Sequence, residues 1–109
     1  MKDDYNISMH GRGRIAKRMG IPKKAVDRQF NLAIEKGYRR KDLKGRIVKW
    51  MTKIMYKNEL SPKEVIVYNN FCFVISKDDV LVTVFSIPSN LSKHINDFVK
   101  PEKGEHINV

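Results

Sequence analysis

His10, Arg14 and Arg18 stand four residues apart in turn, so a helix running through them presents all three on one face, with Lys17 beside them. A histidine with arginines one and two turns away is a workable set for breaking RNA without a metal. A base takes the proton from a ribose 2′-hydroxyl, an acid protonates the leaving 5′-oxygen, and fixed cations stabilise the crowded phosphorane between them. Histidine supplies a proton-transfer group, and each guanidinium fork binds two phosphate oxygens at once. The same spacing also describes a basic, solvated helix that carries a histidine by chance. Thr83 interrupts the apolar run Leu-Val-Thr-Val-Phe at 81–85, and Tyr68 stands at the end of another apolar run. Either hydroxyl is placed to meet a scissile phosphate, and either is equally an ordinary strand residue. Trp50, Tyr56 and Tyr38 are candidates for stacking on bases, with Trp50 adjoining an apolar stripe that favours burial.

Other chemistries find little support. His10, His94 and His106 are far apart, and Asp3-Asp4 and Asp78-Asp79 are doublets in turn-like segments. A two-metal site needs several convergent carboxylates, so the sequence calls for neither a metal nor a cofactor. Gly11-Arg12-Gly13 is too short for a phosphate-cradling loop and has no strand before it. The single cysteine, Cys72, sits in an apolar run and reads as a small core residue. One cysteine excludes a disulfide framework and points to a reducing, cytoplasmic setting. No apolar run approaches the ~20 residues of a membrane-spanning helix, and the opening Met-Lys-Asp-Asp-Tyr-Asn lacks the apolar segment of a secretory signal.

The charge is informative because it is lopsided. Of the 22 Lys and Arg and 12 Asp and Glu that give +10, seventeen basic and five acidic residues fall before position 59. That leaves the first half at +12 and the second at −2. A field so polarised steers a polyanion and supplies much of its non-specific affinity.

The elements that would position these residues divide where the charge divides. Ile15 and Met19 mark a helix over residues 10–19, which Gly20 breaks. Pro22 suits a first helical position, and Val26, Phe30, Ala33 and Ile34 keep helical spacing until Gly37 closes the segment as a cap. Residues 38–45 form a polar, basic connection. A third helix over residues 46–57 has the apolar stripe Ile47, Met51, Ile54 and Met55. Its Arg46, Lys49, Lys53 and Lys57 line a solvent-facing stripe. After Ser61-Pro62 the period changes. Residues 64–69, 71–76 and 80–87 read as strands, with Asn69-Asn70 as a tight turn, Lys77-Asp78-Asp79 as a second turn, and Pro88 as the stop. A helical turn is expected around 91–99. The layout is α+β in a single domain, about three N-terminal helices followed by a three- to four-stranded antiparallel sheet. Residues 9–58 form the basic helical half, 59–92 the sheet, and 1–8 and 101–109 frayed ends. One face of the sheet is expected to bury against the helices and the other to stay open to solvent or substrate.

A second motif overlaps the first. The run from Ile15 to Val26 reads as a helix-turn-helix, with Ala16, Gly20 and Val26 where a small residue, a turn glycine and an apolar residue belong. Its second helix would bring Lys23, Lys24, Asp27 and Arg28 to a DNA major groove, with Pro22 early in that helix. Helix–glycine–helix is also a general way to join two helices.

Taken whole, the chain resembles the small ribonuclease toxins, the superfamily that includes RelE and BrnT toxins and the nuclease domains of several colicins. The resemblance rests on His10-Gly-Arg-Gly-Arg14-Ile-Ala-Lys-Arg18-Met-Gly-Ile21 and Val80-Leu-Val-Thr83-Val-Phe85, with two further helices between. The chain is also similar to uncharacterised proteins of Gram-positive bacteria and their mobile elements, through Pro22-Lys-Lys-Ala-Val26, Lys44-Gly-Arg46 and the segment from Thr83 to Pro88. The likeness spans roughly residues 9–92. It implies helices on an antiparallel sheet, metal-independent RNA cleavage leaving 2′,3′-cyclic phosphate ends, and a protein antitoxin as partner. Carried over, His10 is the proton-transfer group, Arg14 and Arg18 bind phosphate, and Thr83 gives a hydroxyl contact. Gly11 and Gly13 depart from the pattern, since such helices usually carry alanine there. Glycine costs up to ~1 kcal/mol in a helix, so a start after Gly13, with His10 in a loop, is a second possibility. Arg12, Lys17, Lys24, Arg28, Arg46, Lys49, Lys53 and Lys57 complete the expected nucleic-acid surface.

The leading expectation is therefore a domain that binds RNA and cleaves it. The alternative is a non-catalytic binder, either a helix-turn-helix DNA-binding protein or a mobile-element inhibitor acting on a nucleoprotein complex. A protein–protein adaptor explains the core but not the charge.

Overall fold

In the computed structural model, which describes residues 5–101, helices precede the sheet with one strand out of that order. α1 (Met9–Met19) and α2 (Lys23–Lys36) come first. β1 (Tyr38–Arg39) and a 3₁₀ turn, Arg40–Asp42, then lie within the segment expected to be a plain connection. α3 (Arg46–Lys57) follows, then β2 (Glu64–Tyr68), β3 (Phe71–Ile75) and β4 (Leu81–Ser86). A short α4 (Ser89–Ser92) and a 3₁₀ turn, Ile95–Phe98, follow β4. The architecture is α+β, and the sheet is an antiparallel meander in the order β1-β2-β3-β4. Among the described residues, no helix is long and apolar enough to cross a membrane.

Local chemistry accounts for most boundaries. The Ser8 hydroxyl accepts the Gly11 backbone N–H at 2.9 Å and caps α1 at its start. With that cap the helix begins at Met9 despite Gly11 and Gly13, so His10 is helical and not in a loop. Gly20 ends α1 in the left-handed conformation (φ 71°), where a side chain would be strained. Pro22 stands one position earlier than expected, as the residue before α2 and not its first. Asn69 and Asn70 both take positive φ (50° and 69°), as a two-residue hairpin turn of the primed type demands.

Gly37 closes α2 as its cap, as expected, its N–H donating to the Ala33 carbonyl at 2.7 Å. Its φ of −74° is ordinary, so it is no left-handed cap. It is buried, and a Cβ there would lie 2.4 Å from the Ile66 Cγ2 atom. Glycine lets the end of α2 close directly onto β2.

The sheet is covered on both faces, which corrects the expectation of one open face. Strand alternation, with a register shift between β3 and β4 at Val74/Ile75, sends Ile66, Phe73, Ile75, Leu81 and Val84 to one side, where they pack with Ile15, Ala16, Val26, Phe30 and Ala33 of α1 and α2. Val65, Val67, Cys72 and Val74 go to the other, with Ile47, Met51 and Met55 of α3 and with Leu91 and Phe98 of the C-terminal segment. The helices thus form two layers with the sheet between them. The C-terminal segment is strapped to the stretch just before α3, where the Lys44 N–H donates to the Phe98 carbonyl and the Lys100 N–H to the Asp42 carbonyl, both at 2.8 Å.

Tyr5–Ser8, expected to fray, belong to the fold. The Asn6 N–H donates to the Asp79 carbonyl, and the Leu81 N–H donates to the Asn6 carbonyl, each at 2.8 Å, which covers part of the outer edge of β4. Tyr5 stacks on Phe30 and Phe30 on Phe73, with ring centroids 5.9 and 6.1 Å apart. Asp3, Asp4, His106 and the expected fraying of 1–4 and 102–109 lie outside the described residues.

Candidate nucleic-acid interface

α1 buries Ile15 and Ala16 on the sheet and turns His10, Arg14 and Lys17 outward. These three share an open concavity of about 370 Å³ with Met9, Gly13 and Lys23. Lys23 is the first residue of α2, which the bend at Gly20 brings back beside α1. No acidic residue lies among the lining side chains. The first turn of α2 has no acid either, and no side chain caps it. The positive end of that helix therefore adds to the field of Arg14, Lys17 and Lys23. A phosphate placed here would meet three exposed cations beside one imidazole.

Arg18 departs from its two expected partners. Its guanidinium turns toward β4, where one Nη donates to the Thr83 hydroxyl at 3.3 Å and to the Val84 carbonyl at 3.2 Å. The Arg18 Cζ lies 5.4 Å from the centroid of the Phe85 ring. Thr83 pairs with Val74 and Phe85 with Cys72, so both belong to the sheet face that α3 covers. α1 covers the opposite face. Arg18 thus reaches round the outer edge of the terminal strand and holds α1 to it. A charged side chain lying over an unpaired edge also discourages another strand from adding there. Thr83 does not line the concavity that holds His10. The structure brings together His10, Arg14 and Lys17, adds Lys23, and assigns Arg18 and Thr83 to this clasp.

Arg12 is likewise engaged within the fold. Its guanidinium meets the Asp27 carboxylate at 2.9 Å, tying α1 to α2, and its Nε is buried without a hydrogen-bond partner. Asp27, which the helix-turn-helix reading would have sent into a groove, is therefore occupied. Lys24 and Arg28 remain exposed on α2.

The remaining basic residues form a separate surface. Arg46, Lys49, Lys53 and Lys57 are exposed on α3, on the other side of the sheet from His10. Arg46 lies 5.7 Å over the Phe98 ring. Trp50 and Tyr38 are half-buried against the α3 core, whereas Tyr56 stands exposed. Tyr68 packs partly against the α1–α2 side.

Cys72 is buried, and that burial pushes its thiol up to about 12, so it is held as the neutral thiol and serves packing. Among the described residues, no three His, Cys, Asp or Glu side chains gather as metal ligands would. Reading by spacing alone did not single out Lys23 as a neighbour of His10, because only the bend at Gly20 brings the two helices side by side. No protein-family model, curated protein or solved structure matches this chain, so the arrangement of its own side chains carries the functional argument.

Proposed function

We propose that this domain binds RNA through the outward face of α1 and the start of α2 and cleaves it there without a metal. The observation that carries the reading is the shared concavity of His10, Arg14, Lys17 and Lys23, with no acid on its lining. His10 accepts the 2′-hydroxyl proton as that oxygen forms its bond to phosphorus. The bond from phosphorus to the 5′-oxygen breaks, the departing oxygen takes a proton from bulk solvent, and His10 returns the 2′-hydroxyl proton to that solvent, which restores the starting imidazole. Arg14, Lys17 and Lys23 neutralise the charge that builds on the phosphorane. The product ends are a 2′,3′-cyclic phosphate and a free 5′-hydroxyl. In this scheme Arg18 and Thr83 are positioning residues that keep α1 seated on β4. A toxin-type role with a protein antitoxin is the biological setting that the sequence resemblance suggests.

A chemical substitution in the substrate tests this. A short RNA and a DNA of the same sequence are incubated with the protein in EDTA and resolved on a denaturing gel. The RNA should be cut to cyclic phosphate ends and the DNA left whole, because only RNA carries the attacking hydroxyl. Cutting of both strands, or of neither, would remove this mechanism.

One observation favours a non-catalytic binder as the second reading. Among the described residues, no hydrogen bond holds the His10 ring in one orientation, as second partners usually do for catalytic imidazoles. On that reading the same surface binds RNA or DNA by charge alone and leaves both intact.

A further inference from the structure

Tyr56 is 86% exposed on α3, on the layer of the molecule away from His10. It borders a groove of about 400 Å³ that lies between α3, the 3₁₀ turn Arg40–Asp42 and the start of β2. The size suits a small organic ligand. Its wall is apolar where Met51, Met55 and Val65 line it, and its rim carries Arg40 and Lys41. The acid of the groove, Glu64, is neutralised by Arg39, whose Nε donates to it at 2.7 Å. Arg40 is different, because its guanidinium donates to the Thr52 hydroxyl at 2.7 Å. A hydroxyl orients the guanidinium without cancelling its charge. Lys53 stands three residues before Tyr56 and Lys49 seven before, so the cationic stripe of α3 runs along the same flank.

An exposed ring, an apolar wall and an oriented cation with no acidic partner among the described residues are the three parts that one nucleotide requires, for its base and for its phosphate. We propose that this groove is a subsite for a single unstacked nucleotide of single-stranded RNA. The base lies against the Tyr56 ring beside the methionines, Arg40 and Lys41 hold its phosphates, and the strand continues past Lys53. A duplex keeps its bases stacked inside the helix and cannot deliver one to this ring, so the groove selects single strands. The inference rests on the reading that the protein binds RNA, and not on its cutting RNA.

The test uses the full chain carrying His10→Ala, so that no cutting intrudes. Binding of a short fluorescent RNA strand, alone and annealed to its complement, is followed by anisotropy. Adding Tyr56→Ala should weaken binding of the single strand about tenfold and leave duplex binding unchanged. Tyr56→Phe, which keeps the ring, should bind like the parent, and all three proteins should melt at the same temperature because the side chain is exposed. Unchanged single-strand affinity in Tyr56→Ala, or equal loss on both RNAs, would overturn the subsite while leaving the RNA reading standing. Failure of both the wild type and the His10→Ala parent to bind any RNA would overturn both. Displacement of the strand by polyglutamate as readily as by unlabelled RNA would overturn it in favour of an acidic peptide.

Discussion

His10→Ala is expected to slow RNA cleavage about 10²–10⁴-fold, the usual contribution of a positioned proton-transfer group. The comparison is clean because His10 is exposed and makes no hydrogen bond to the fold among the described residues. Surface substitutions of this kind stay within about 0.5 kcal/mol of wild-type stability. RNA affinity should also hold, since Arg14, Lys17 and Lys23 remain in place around the vacated ring. Single-turnover rates with saturating protein separate the two effects. A variant that cuts as fast as wild type would remove His10 from the chemistry. A variant that loses affinity and rate together would make it a binding residue only.

Phe73→Ala should be the most damaging single truncation for stability. The ring is fully buried in β3, stacks on Phe30 at 6.1 Å, and sits where α1, α2 and the sheet converge. Removing it leaves a cavity that rigid strands and two helices cannot collapse into. Truncations of this type cost about 3–5 kcal/mol, against a total of about 5–15 kcal/mol for a domain. Urea unfolding followed by circular dichroism measures the loss. A cost below about 1 kcal/mol would mean that the layers close over the gap, and that the helical layer is less tightly fixed to the sheet than the packing implies.

The helices and the hairpin were legible in the sequence because each carries its own local signal. α3 shows an unbroken apolar stripe of Ile47, Met51 and Met55, and its bounds match the expected ones. Asn69-Asn70 announces the turn between β2 and β3 through the left-handed conformations that asparagine tolerates. β1 has no such signal. Tyr38 and Arg39 are two residues in a basic connection, and only their pairing with Val67 and Ile66 makes them a strand. The double burial of the sheet was written in Val65-Ile66-Val67 and Cys72-Phe73-Val74-Ile75, which are continuous apolar runs and not alternating ones.

The candidate site was legible in part for a geometric reason. A helix has 3.6 residues per turn, so each step of four residues rotates by about 40°. From His10 to Arg14 that drift is tolerable, and both line the concavity. By Arg18 it has doubled, and the side chain faces the edge of β4. The hydroxyl of Thr83 was expected to meet substrate, yet its register opposite Val74 sets it on the α3 side of the sheet. Side-chain contacts across sixty-five residues of sequence, such as Arg18 to Thr83, leave no local mark.

The central claim is that the basic face of α1 and α2 grips a polyanion, and the salt dependence of RNA binding tests it most directly. Affinity for a single-stranded RNA is measured across a series of salt concentrations for the wild type and for Arg14→Ala/Lys17→Ala/Lys23→Ala. Each phosphate contact contributes about 0.7 to the slope of log affinity against log salt for single strands. The account predicts a steep slope for the wild type and a slope about two units shallower for the triple variant, with weaker binding throughout. Absence of salt-dependent binding, or a triple variant whose slope matches the wild type, would contradict it.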